Sequence, residues 1–189
     1  MRSRAAILLA LGLAACSSGE PEGNQPAAQP ANAAAPAKAA IPSETVADRL
    51  GDDRFAQAVK SAGLRETLAG PGPYTVLAPT DEAFARLPAE QAQRLFSPAG
   101  RAELTALLSH HILPGTILLA DVGTAIDRGN GKALLATMAG GPLTATRENG
   151  RVILTDKGGS RAVLGAGDEL RKNGVVHRID AVLVPARRE

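Results

Sequence analysis

The chain is poor in groups that stack, crosslink or carry strong net charge. It has no Trp, one Tyr and three Phe in 189 residues, which leaves little aromatic surface for stacking bases or sugar rings. Its single cysteine, Cys16, excludes a disulfide within one chain. Arg2 and Arg4 belong to the first fifteen residues, so the rest keeps 19 of the 21 basic residues against 19 acidic ones. That balance leaves no basic footprint for nucleic acid. There is no Gly-x-Ser-x-Gly elbow, and Lys157-Gly158-Gly159-Ser160 lacks the spacing of a phosphate loop. Gly165-Ala166-Gly167 likewise reads as a loop.

What is present begins with a short basic start and the apolar run Ala5–Leu13. The run falls short of the ~20 residues that a spanning helix needs, and it fits a secretory signal. Leu13-Ala14-Ala15-Cys16 is similar to a bacterial lipobox, in which the thiol takes a diacylglyceryl group and the signal is cut before it. The resemblance implies three acyl chains on Cys16, and two already anchor a protein stably. The expectation is a signal peptide over 1–15, a lipidated Cys16 with an Ala/Pro-rich tether over 16–42, and one domain over 43–187. By analogy with lipoprotein sorting, Ser17 favours the outer membrane, facing the periplasm or the cell surface.

Ser43-Glu44-Thr45-Val46 offers a helix cap, and the apolar spacing predicts helices over 43–50 and 53–62, closed by Gly63. Tyr74–Ala78 reads as a buried strand, followed by a helix over 82–87 that Thr80 or Asp81 can cap. Helices are predicted over 89–95 and 98–110, the second with Leu104, Leu107, Leu108 and His111 on one face. Beyond them come strands over 116–120, 132–138, 143–147, 152–156, 162–164 and 175–184. The Asn149-Gly150 pair marks a tight hairpin. Helices first and strands second make an α+β domain.

Three segments carry a resemblance. Thr75-Val76-Leu77-Ala78-Pro79-Thr80-Asp81-Glu82-Ala83-Phe84 resembles the first signature of fasciclin domains, and Asn173-Gly174-Val175-Val176-His177-Arg178-Ile179-Asp180-Ala181-Val182-Leu183 resembles the second. Between them, His110-His111-Ile112-Leu113-Pro114-Gly115 resembles the family's Tyr-His segment, with His110 where Tyr is usual. The resemblance implies a compact β-sandwich-like wedge with several helices packed along one side. It also implies a role in adhesion or interaction, for which the 110–115 segment is the candidate contact strip. Integrin binding, tied to that Tyr in vertebrate members, is not carried over.

The candidate chemistry is thin. His110, His111 and His177 could serve as metal ligands or general bases, since neutral imidazole does both. Adjacent helical residues point about 100° apart, however, so His110 and His111 do not readily share a ligand. His177 sits among Val and Ile, where a backbone-bonded imidazole is the simpler reading. Ser109 beside His110 is a neighbour in sequence, which is not a triad. Thr75, Pro79, Thr80, Asp81, Phe84, Asn173, Gly174, His177 and Asp180 read as folding instructions, with Asp81 as a helix cap. The expected function is a non-enzymatic, membrane-anchored interaction module with a protein or glycan partner, no cofactor and no metal. A periplasmic small-ligand-binding or envelope accessory protein is the alternative, and a hydrolase or metal-dependent enzyme ranks last.

Overall fold

A computed structural model describes residues 42–185; Cys16, the expected signal peptide over 1–15 and nearly all of the expected tether over 16–42 lie outside the described residues. The domain opens on Thr45, whose hydroxyl accepts the Asp48 N–H while the Asp48 carboxylate accepts the Thr45 N–H at 3.0 Å. This reciprocal cap starts helix α1 (Val46–Arg49). Helix α2 (Arg54–Ala62) is capped by Asp53, which accepts Ala56 N–H at 2.8 Å, and it stops at Gly63 with φ 76°. Its buried stripe is Phe55, Ala58, Val59 and Ala62, the i, i+3, i+4, i+7 spacing of one helix face.

Helix α3 (Arg65–Ala69) leads to strand β1 (Tyr74–Pro79), and helix α4 (Asp81–Ala85) follows directly. Helix α5 (Ala89–Phe96), a 3-10 turn (Pro98–Gly100) and helix α6 (Arg101–His110) complete the helical half. Strand β2 (Ile112–Pro114) and helix α7 (Leu119–Arg128) precede strands β3 (Lys132–Leu135), β4 (Leu143–Glu148) and β5 (Arg151–Thr155). Strands β6 (Arg161–Val163), β7 (Glu169–Arg171) and β8 (Gly174–Ile179) close the chain.

The strands form two four-stranded sheets, ordered β2-β1-β8-β7 and β3-β4-β5-β6. The parallel pair β1–β8 runs in register from Tyr74↔Gly174 to Pro79↔Ile179. Because strand side chains alternate, Val76 and Ala78 of β1 pack into the helical core while Leu77 enters the core between the sheets. The first core holds Phe55, Leu104, Leu108 and Phe84, and the second holds Val122, Ile126, Leu143 and Leu154. This is the expected α+β wedge, with α1, α2 and α4–α6 contributing to the core on one face of the first sheet.

Three predicted strands change, and the one expected over 132–138 stops at Leu135. The apolar run Ile117-Leu118-Leu119 reads as extended, yet α7 begins at Leu119. Asp121 accepts the Leu118 N–H at 3.0 Å, and the distant Asp168 accepts the Leu119 N–H at 2.9 Å. Val122 and Ile126 then bury on one face. The last strand ends at Ile179 rather than Val184, because the Asp180 carboxylate takes the Val163 N–H at 2.7 Å and turns the chain.

Gly174 answers a steric demand. A Cβ there would lie 1.9 Å from the Tyr74 carbonyl oxygen, inside any van der Waals contact.

Candidate functional site

Each motif residue has a defined task. Thr75 is 1% exposed; its hydroxyl donates to the Gly115 carbonyl at 2.7 Å and accepts the Ile117 N–H at 2.8 Å. Pro79 ends β1 beyond its last partner on β2, Val76↔Ile112, while pairing to β8 continues through Thr80 N–H to the Ile179 carbonyl. The missing proline N–H therefore falls where no β2 residue awaits it.

Thr80 is the cap of α4, accepting Ala83 N–H at 3.3 Å. Asp81 does not cap α4, contrary to the expectation; its carboxylate accepts Arg54 N–H at 2.9 Å and so caps α2 from across the fold. Phe84 is buried beside Phe96, the ring centroids 6.3 Å apart and tilted by 58°.

Asn173 ties three elements together. Its side-chain oxygen accepts Val46 N–H at 2.8 Å, and its amide donates to the carbonyls of Leu68 at 2.8 Å and Gly70 at 2.7 Å. Asp180 terminates β8 as described above.

The contact strip expected over 110–115 is mostly interior. His110, His111, Ile112 and Leu113 are buried, Gly115 is half-buried and Pro114 alone is exposed. As a continuous surface the strip is therefore corrected: helix α6 and strand β2 place its apolar residues in the two cores.

The histidines differ in their settings. His111 Nδ1–H donates to the Leu107 carbonyl at 2.8 Å, and Nε2 accepts the Leu183 N–H at 3.1 Å. Both ring nitrogens are committed, and burial drives its pKa down to about 4. His177 donates Nε2–H to the Ile117 carbonyl at 2.8 Å, leaving Nδ1 to face Asp168 Oδ1 at 3.4 Å.

His110, 3% exposed, has Nδ1 3.3 Å from Thr137 Oγ1 and Nε2 3.9 Å from Asp156 Oδ2. Burial lowers its pKa, and the Asp156 charge works against that shift. Asp156, Thr137 and Asp168 escaped the sequence reading because no local spacing links them to a histidine. The only signal is that a buried imidazole needs partners for both nitrogens.

Two hollows flank these histidines. A groove of about 1360 Å³ runs between α6 and residues Met138–Pro142, with His110, Asp156 and Val184 in its lining. A second hollow of about 980 Å³ lies beside α7, lined by Asp127, Arg147, Arg151 and Asp168. Among the described residues no three His, Cys, Asp or Glu side chains converge to hold a metal ion. No helix among them is long and apolar enough to cross a membrane.

The fold and its inward-committed polar side chains define an α+β domain whose motifs serve architecture. The family model for the fasciclin domain matches residues 53–185, and the chain belongs to that family. Protein sll1483 of Synechocystis is 37% identical over 68% of this chain and 64% of its own length. Transforming growth factor-beta-induced protein ig-h3 of Sus scrofa is 35% identical over 76% of this chain. The match covers only 20% of that longer protein. Among solved structures, a FAS1 domain pair from the insect cell adhesion molecule Fasciclin I aligns with a TM-score of 0.65. That alignment has 18% identity and covers 75% of this chain and 51% of the other; it shows the fold.

Proposed function

We propose that this protein is a non-enzymatic interaction module, displayed from a bacterial envelope membrane by lipid on Cys16 and contacting a protein or glycan partner. The observation that carries this reading is the fasciclin match over 53–185, joined to motif side chains whose hydrogen bonds hold the fold together. Thr75, His111 and Asn173 are saturated with backbone partners and have no reach left for a substrate. The name of the solved neighbour, a cell adhesion molecule, supports the same class of role.

Contacts then fall to exposed side chains. Leu134 on the edge strand β3 is 74% exposed and Met138 is 48% exposed, large apolar groups that water does not favour. The tether raises the encounter rate between the domain and anything near the membrane. The groove beside α6 favours the second reading, a small-ligand or accessory role.

Photo-crosslinking of the lipidated protein in cells, with the crosslinker at position 134 and then at 138, tests the module. One partner recovered in preference to more abundant envelope proteins supports it. Recovery in proportion to abundance alone defeats it.

A further inference from the structure

The groove wall contains a pair of buried polar atoms with no hydrogen-bond partner among the described residues, His110 Nε2 and Asp156 Oδ2. The surroundings dictate the state of the imidazole. The Thr137 hydroxyl has a single proton, which it donates to the Gly141 carbonyl at 2.6 Å. Toward His110 it can therefore only accept, so Nδ1 carries the hydrogen. In the neutral ring Nε2 is then a lone pair, and it points at a carboxylate oxygen 3.9 Å away. The other oxygen, Asp156 Oδ1, accepts the Ser160 N–H at 2.9 Å, so the carboxylate is held in place.

Two acceptors face each other in the interior, and none of the described residues places a donor between them. Leaving such groups unsatisfied is costly, and one proton on Nε2 removes the conflict. It turns the pair into a charge-assisted N–H···O contact, whose natural length is about 2.8 Å. Closing from 3.9 Å requires Asp156 and His110 to approach each other. His110 ends α6, and Asp156 begins the turn after β5. Both line the groove.

We propose that His110 and Asp156 form a one-proton switch, in which acidification protonates Nε2, draws the pair together and narrows the groove where the end of α6 faces the turn after β5. At neutral pH burial keeps the imidazole uncharged, so the switch rests open. Few other charges face it. Helix α5 contributes Arg94 and α6 contributes Glu103, which pair with each other at 3.1 Å on the surface. Helix α6 also contributes exposed Arg101, the buried, neutral His111 follows directly after it, and the turn after β5 adds exposed Lys157. Segments 138–142 and 184–185 contain no titratable side chain.

The full chain labelled with 15N-histidine and 13C-methyl methionine reports the switch by NMR. Met138 is the groove reporter, the other methionine being Met1. The expected record is a His110 Nδ1–H tautomer at neutral pH, with protonation of Nε2 and movement of the Met138 methyl sharing one midpoint in mild acid. Asp156→Asn keeps an oxygen for Ser160 and supplies an N–H to the Nε2 lone pair. In that variant the His110 midpoint falls by at least about one pH unit, and the Met138 methyl sits near its acid position already at neutral pH. His110→Phe abolishes the Met138 transition. An Nε2–H tautomer in the wild-type protein at neutral pH overturns the proposal without any variant having to fold. So does a Met138 methyl that ignores the His110 titration, or an unchanged midpoint in Asp156→Asn.

Discussion

The side-chain oxygen of Asn173 accepts the backbone N–H of Val46 at 2.8 Å, joining the first helix to the entrance of the last strand. The Asn173 amide donates to the Leu68 and Gly70 carbonyls, so one 7%-exposed side chain closes the helical end of the domain.

Asn173→Ala removes all three hydrogen bonds and leaves buried backbone groups unpaired. The expected cost is about 2–4 kcal/mol, since each stranded buried group costs roughly 1–3 kcal/mol. Asn173→Asp keeps the acceptor for Val46 but sets an anion against two carbonyls, and is expected to be no better. Urea unfolding of both variants checks this; wild-type midpoints would show the bonds to be dispensable.

Gly174→Ala is expected to destabilise by more than about 3 kcal/mol, the range of strained core substitutions. Its Cβ would lie 1.9 Å from the Tyr74 oxygen and 3.0 Å from the Tyr74 nitrogen, so β1 and β8 cannot keep their register. Circular dichroism with thermal melting reads the loss, and a Tm near that of the parent contradicts the packing argument.

Stability is expected to fall on mild acidification. His111 has a folded pKa of about 4 against an ordinary 6.5, so the unfolded chain takes up the proton first. For a pKa depressed in the folded state, nothing is lost above the unfolded value, and the loss grows as pH falls toward the folded value. Between pH 7 and pH 5 this amounts to about 2 kcal/mol, and the lowered pKa of His110 acts in the same direction. Unfolding free energies measured in urea across that interval test the sign; a rise toward acid refutes it.

Cys16→Ser is expected to abolish incorporation of a labelled fatty acid and to leave an uncut precursor or a mislocalised protein. The check is metabolic labelling followed by membrane fractionation. A variant still lipidated and processed rules out the anchor assignment.

Leu134→Asp replaces a side chain that is 74% exposed, so unfolding should shift by less than about 0.5 kcal/mol. If the edge of β3 meets a partner, the same change strongly reduces the crosslinked product. An undiminished yield moves the contact elsewhere on the domain.

Much of this architecture is legible in short stretches of sequence. The Asn149-Gly150 hairpin is found with φ of 49° and 76°, as a two-residue turn requires. Thr80 caps the helix that follows it, and Gly63 ends the one before it. In each case the deciding contacts lie within about four residues, the range over which local backbone preferences act. Along β1 the alternation of Val76, Leu77 and Ala78 also survives into the fold, because strand geometry alone sends neighbours to opposite faces.

Other features arose only when distant segments met. Helix α7 overrode its strand-like start because Asp168 reaches the Leu119 N–H. Asp81 serves α2 instead of the helix it begins, and the 110–115 segment turned inward once α6 and β2 entered the two cores. His110 is the sharpest instance. Its residue type and its place on a helix are plain in the sequence, but the lone pair facing Asp156 exists only where the end of α6 meets the turn after β5. A titratable group takes its character from charge and solvent within a few ångströms, and chain order does not specify what lies there.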